Sequence, residues 1–174
     1  MSHLLITLFA YLIYRYSGEF SFMKHPLVFI EELITFFEEK FYKDSVMRGG
    51  IFVLFVVSVV SVFAISLYLY LALLPFWINV IFSSLIASLF VGYKVKGSIN
   101  NGIIEPLFYL LLFNLPGIIL YKTIDAISAT LNCEDEKYKN YGRVAVVLEK
   151  SVNFIPSHIR SLLIKLLSFL NKPD

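Results

Sequence analysis

The sequence predicts an all-α fold: a polytopic integral membrane protein with about three to four membrane segments plus amphipathic interfacial helices. Three observations predict it. Of the 174 residues, 58% are hydrophobic and only 16% charged, whereas a soluble domain has about a quarter of its residues charged; the mean hydropathy is +0.76. From Ile51 to Leu74 no residue is charged. As a helix that stretch reaches roughly 36 Å, against the roughly 30 Å of a bilayer's hydrocarbon core. Aromatic residues make up 17%, many near the ends of apolar runs, where amphipathic rings favour the membrane–water boundary. The net charge of +2 is too small to argue for nucleic acid as a partner. Cys133 is the only cysteine, which excludes an intramolecular disulfide and a cysteine-based metal site.

Each element follows from its local pattern. Leu4 to Tyr14 is a short apolar run ending at Arg15. No basic region precedes it and no small-x-small cleavage site follows. It reads as an uncleaved signal-anchor, or as a short span completed by tilt and by Arg15 reaching to the interface. His25-Pro26 opens LVFIEELITFFEEKFY, with proline suited to a first helical turn. Glu31, Glu32, Thr35, Glu38 and Glu39 fall on one face, and Phe29, Ile30, Leu33, Phe36 and Phe37 form much of the other. The acidic face argues against adhesion to anionic lipid and for a partner segment or a water-filled site.

Arg48-Gly49-Gly50 leads into the uncharged run, and Ile78 to Tyr93 returns after a turn at Pro75, with Trp77 at the interface. Lys40, Lys43 and Arg48 precede this hairpin and Lys94 and Lys96 follow it. The positive-inside rule therefore puts both ends in the cytoplasm. Leu107 to Tyr121 is interrupted by Pro116-Gly117. Its length of about 15 residues is that of a re-entrant or broken helix. A crossing would put Lys122, Lys137, Lys139 and Arg143 outside, against the charge rule, although Ile124 to Leu131 could complete a tilted span. A charged loop (Asn132 to Tyr141), a helix (Gly142 to Val152), a break at Asn153 to Pro156 and a final amphipathic helix (Ser157 to Leu170) complete the chain. With no internal repeat or linker, residues 1–174 read as one domain.

The chemistry concentrates between Asn100 and Ile127. There a turn, Asn100-Asn101-Gly102, runs into Glu105-Pro106, then Pro116-Gly117, then Lys122 and Asp125. Irregular backbone at membrane depth is tolerated only where protein or water satisfies it, and ionisable groups there mark function by default. Plainer readings stand beside this one. In one, Asn100-Asn101-Gly102 is only a turn whose glycine permits positive φ. Lys122 and Asp125, three apart on a helix, can pair with each other. Arg48 is an anion contact at a helix N-terminus or a charge stop before a span; His25 is a substrate contact or a helix-entry residue. His3 and His158 have no partners at metal-ligand spacing.

Several segments recur in a specific order: Gly18-Glu19, HPLVFIEELITFFE from His25, Arg48-Gly49-Gly50, GIIEPLFY (Gly102 to Tyr109), LPGIILYKTIDAI (Leu115 to Ile127) and KYKNYGRVAVVLEKSVNFIPSHI (Lys137 to Ile159). In that order they resemble the CobD/CbiB family of cobalamin biosynthesis proteins, membrane adenosylcobinamide-phosphate synthases. The resemblance implies ATP-dependent amide ligation of adenosylcobyric acid with aminopropanol or its phosphate, with Mg²⁺ and ATP as cofactors. It also implies a bacterial inner-membrane, multi-pass location. The partners would be the lipid bilayer, the corrinoid substrate, and other cobalamin biosynthesis proteins or a second chain. Carried onto this chain, it assigns Glu105, Asp125 and Glu19 to catalysis and His25, Arg48, Asn101, Lys122 and Asn153 to substrate binding; Glu149 also sits at a matching position.

The departures from the family pattern are specific. Only KVKGSINN separates Tyr93 from Gly102, where the family has a sizeable soluble loop. Ser98 to Asn101 stand where an Asn-Thr-Ser-Asp string is expected, and Tyr14 where the first span tends to end in an acid. Asp125-Ala126-Ile127-Ser128 replaces an Asn-Thr-Leu-Asp-like string, and Asp174 comes before the family's usual C-terminal portion. These imply a short form lacking the central loop. The alternative is a non-catalytic membrane relative acting as a binding, regulatory or scaffold module.

Overall fold

A computed structural model of the chain describes residues 2–17, 26–93, 95, 102–131 and 135–170. Glu19, His25, Asn101 and Cys133 lie outside the described residues. The elements are α1 (Ser2–Ser17), α2 (Pro26–Phe41), α3 (Val46–Ala72), α4 (Phe76–Gly92), α5 (Ile104–Thr130), a 3₁₀ turn (Glu136–Tyr138) and α6 (Arg143–Leu170). The described residues contain no strand. Two helices, α3 and α5, are long and apolar enough to cross a membrane, and α4 is a shorter apolar helix.

Helix α5 is the centre of the bundle: it packs against each of the other five helices. The expected hairpin of α3 and α4 exists in sequence, but α4 packs chiefly on α1 and only lightly on α3. Small residues explain this choice. Ser83, Ser84, Ala87 and Ser88 are buried along α4, and Ile6 and Ala10 along α1, so the two backbones approach closely. The N-terminal run is thereby a working part of the bundle. On α3 the buried stripe runs Val53, Val56, Val60, Ala64, at helical spacing. Leu54, Val62 and Phe63 on its other sides stay about two-thirds exposed, an apolar surface suited to lipid.

The amphipathic reading of α2 needs correction. Its buried residues are Leu27, Ile34 and Glu38, while Phe29 and Phe36 are exposed. Glu38 is drawn inward by Lys137 Nζ, 3.0 Å from its Oε1. One ion pair to the 3₁₀ turn thus rotates the face that hydrophobicity alone would choose.

Helix α5 breaks, two residues before the proline where the sequence places the interruption. Asn114 has φ 56° and ψ −149°. Asparagine tolerates positive φ better than most residues, and its Oδ1 accepts a hydrogen bond from Leu115 N–H at 2.8 Å. Pro116 then falls in the first turn of a new helical segment, where a missing N–H costs nothing. The two segments double back on one another. The Tyr109 and Tyr121 rings stack with centroids 5.2 Å apart, whereas twelve residues along a straight helix span about 18 Å. Gly117 lies so close to the earlier segment that a Cβ would overlap the Tyr109 carbonyl oxygen. Its hydrogen side chain is what the approach requires.

The expected break at Asn153 to Pro156 is absent: α6 continues through Pro156. Proline removes the N–H that would bond the Val152 carbonyl. The Tyr109 hydroxyl takes that place, donating to Val152 O at 2.6 Å. An orphaned acceptor is satisfied from a neighbouring helix, and α6 stays continuous.

Two outcomes follow for stability in detergent. Asn114→Val places a β-branched residue at positive φ and should cost roughly 1–3 kcal/mol, while Asn114→Gly should be tolerated; thermal unfolding of both variants checks this. Tyr109→Phe leaves the Val152 carbonyl without its donor and should cost about 1–3 kcal/mol. Pro156→Ala, which restores an N–H, should remove most of that cost. A double-mutant cycle measures the coupling, and additive effects would refute this account of Pro156.

Candidate functional site

The site is built on the two segments of α5 and the inner stripe of α6. Glu105 occupies the first turn of α5, where the helix dipole favours a carboxylate. The residue is fully buried. Gly102 makes room for it, since a Cβ there would overlap Glu105 Oε2. Arg160 Nη1 of α6 comes within 2.7 Å of Glu105 Oε1. Neither carboxylate oxygen has a hydrogen bond of good angle among the described residues. The pair is a charge contact that leaves acceptor capacity unused.

The second segment of α5 presents Tyr121, Lys122, Asp125 and Ser128, all buried. Lys122 Nζ donates to the Tyr93 carbonyl at 2.8 Å and lies 3.9 Å from Asp125 Oδ2. Facing them on α6 are Glu149 and Asn153. The Tyr121 hydroxyl donates to Asn153 Oδ1 at 3.1 Å, Asn153 Nδ2 approaches Glu149 Oε1 at 3.4 Å, and Ser128 Oγ donates to Glu149 Oε2 at 2.6 Å. The stacked Tyr109 and Tyr121 rings join the two groups of residues, since their hydroxyls reach Val152 and Asn153, neighbours on α6. Buried charges are tolerated only when paired, and this arrangement pairs them across three backbone segments.

Of the residues singled out in the sequence, Glu105, Lys122, Asp125 and Asn153 come together here, with Glu149 beside them. Arg48 does not: it stands at the start of α3 among Phe37, Phe41, Phe52, Phe55 and Tyr141. Tyr14, at the position where an acid was expected, packs over Gly92, which has no side chain to obstruct the ring. Sequence reasoning missed Arg160, Tyr109, Tyr121 and Ser128. A signal for Arg160 existed: Glu149, Asn153 and Arg160 are spaced four and seven residues apart, a single helical stripe. The assumed break at Pro156 hid it.

Contacts at two places outside this interior, around Tyr93 and around Lys137, lock the frame. Tyr93 donates to Glu31 at 3.2 Å; burial, then the Glu31 carboxylate, pushes its hydroxyl up to about 12, so it remains a donor at neutral pH. Hydrogen bonds to the Tyr138 hydroxyl and to Glu38 raise Lys137 above the ordinary lysine range. The Tyr42 hydroxyl donates to the Lys137 carbonyl. Among the described residues no group of three His, Cys, Asp or Glu is placed to hold a metal ion.

The described residues form a helical bundle with two helices long and apolar enough to cross a membrane and a polar acid–base site enclosed between its helices. The model of the CobD/Cbib protein family matches residues 94–172, the part that carries this interior. A probable cobalamin biosynthesis protein CobD of Methanocaldococcus jannaschii is 27% identical over 226 aligned residues, covering 97% of this chain and 73% of the relative. One of Methanococcus maripaludis is 28% identical over 206, covering 86% and 67%. One of Pyrococcus furiosus is 37% identical over 70, covering 40% and 25%. The chain is thus similar to the CobD/CbiB family, through its C-terminal part to the family model and along most of its length to these relatives. The first two alignments are longer than the chain's 174 residues, so those relatives carry internal residues that this chain lacks. That fits the short connection between Tyr93 and Gly102. These relatives are archaeal and give no support to a bacterial inner membrane. No solved structure matches the chain.

Arg160→Met leaves Glu105 buried without its countercharge and should destabilise the protein by about 3 kcal/mol. Adding Glu105→Gln should recover most of the loss. Unfolding midpoints of the single and double variants measure this.

Proposed function

We propose that this chain serves cobalamin biosynthesis as a polytopic membrane protein, with the doubled-back α5 entering and leaving the bilayer on one side. The reaction is ATP-dependent amide ligation of adenosylcobyric acid with aminopropanol or its phosphate. The observation that carries the reading is Glu105, a fully buried carboxylate with unused acceptor capacity beside a single arginine. The nucleophile in amide formation is a neutral amine, and a base must take the ammonium proton. Glu105 fills that role. Arg160, about one-third exposed, is reachable from outside and suits an anionic group, the acid's carboxylate or a phosphate. Lys122 and Asp125, held by each other and by the Tyr93 carbonyl, position the segment and keep the interior near neutral. Asn153 and Glu149 orient Tyr121. The requirement for Mg²⁺ and ATP rests on the family resemblance; the described residues do not by themselves make a metal site, and no step is assigned through one.

A non-catalytic role within the family is the second reading, favoured by the internal residues that the aligned relatives have and this chain lacks. Glu105→Gln should abolish Mg-ATP-dependent amide formation by the purified protein while the helix content is retained. Wild-type rates in that variant would remove Glu105 from the site. Cells deleted for the gene that still convert cobyric acid to cobinamide would favour the second reading.

A further inference from the structure

At the start of α3 lies a cavity of about 400 Å³ walled by Phe37 and Phe41 of α2, Phe52 and Phe55 of α3, and Tyr141, with Arg48 on its wall. The rings hold one another: Phe37 stacks on Phe41 at 5.9 Å and meets Phe55 edge-on at 5.5 Å, and Phe52 lies 5.8 Å from Tyr141. One charged group, Arg48, breaks this apolar wall. Arg48 is exposed and takes no ion pair or hydrogen bond from the described residues. A cation left unpaired beside aromatic walls is a receptor for an anion on an apolar body. Arg48 lies in the first turn of α3, a helix long and apolar enough to cross a membrane, and the uncharged run of that helix follows it directly. The first-turn N–H groups of α3 add to it, because Ser45 makes no side-chain cap bond and helix N-termini attract phosphate. Phe55 is about half exposed, so the cavity opens on the lipid-facing side of α3.

We propose that this cavity is a binding site for one anionic phospholipid, with the phosphate on Arg48 and the start of an acyl chain against the phenylalanines. Charge complementarity and depth select this occupant: a cation at the end of a membrane span meets the negative headgroups of the cytoplasmic leaflet. The site shares no contact with the Glu105 interior, and its test does not depend on catalysis.

Native mass spectrometry of the full chain in neutral detergent, titrated with phosphatidylglycerol, phosphatidylcholine or inorganic phosphate, reads the outcome. The wild type should retain one phosphatidylglycerol with at least tenfold preference over phosphatidylcholine. Arg48→Gln should bring the two lipids close to parity, and Arg48→Lys should keep part of the preference. Equal retention of both lipids by the wild type, or an unchanged preference in Arg48→Gln, overturns the proposal. So does displacement of the lipid by inorganic phosphate, which would make this a site for a free anion. A Phe55→Trp reporter gives an independent reading: phosphatidylglycerol brominated on its acyl chain should quench it more strongly than Trp77, and equal quenching also overturns the proposal.

Discussion

The reversal at Asn114 is the constraint on which the rest of the structure depends. One residue at positive φ turns α5 back on itself, and the Tyr109–Tyr121 stack and the hydrogen side chain of Gly117 close the reversal. Without it Glu105 and Lys122 would stand roughly 25 Å apart along one helix. With it both enter the same interior, and α6 can reach Glu105 with Arg160 and Tyr121 with Asn153. The polar network is therefore a product of backbone geometry before it is a product of charge.

A second constraint is that the polar side chains buried between α5 and α6 are held by other groups of the protein. The polar atoms of the α5–α6 interior draw partners from helix backbone, from facing side chains or from an opposite charge. Glu38 obeys the same rule at the edge of the bundle, where Lys137 overrides the hydrophobic pattern of α2.

Much of the fold could be read from the residues. The uncharged run of α3, the turn at Pro75 and the broken character of α5 all follow from composition and helix breakers. Two of the departures share one physical source: the effect of a proline depends on residues that its own local pattern does not include. Pro116 marks a helix start because Asn114 breaks the helix first. Pro156 leaves α6 whole because a tyrosine from another helix answers the carbonyl it frees. Periodicity carries no information about such donors, since they come from far along the chain. For the interior, Glu105, Lys122, Asp125 and Asn153 were legible as ionisable or polar groups in apolar company. Arg160 was not, because the presumed break took it out of register with Asn153. Arg48 stood out as a cation before a span, but only the folded chain separates it from the acid cluster and sets it in an aromatic cavity.

The hydroxyl that completes α6 at Pro156 belongs to a residue made earlier on the ribosome. When the last helix emerges, its backbone has a gap that only an already reversed α5 can fill. Assembly of the C-terminal helix is thereby conditional on the centre having folded correctly, and a misfolded centre leaves α6 with an unsatisfied carbonyl in apolar surroundings. The proline thereby ties the continuity of α6 to the reversal of α5 that precedes it.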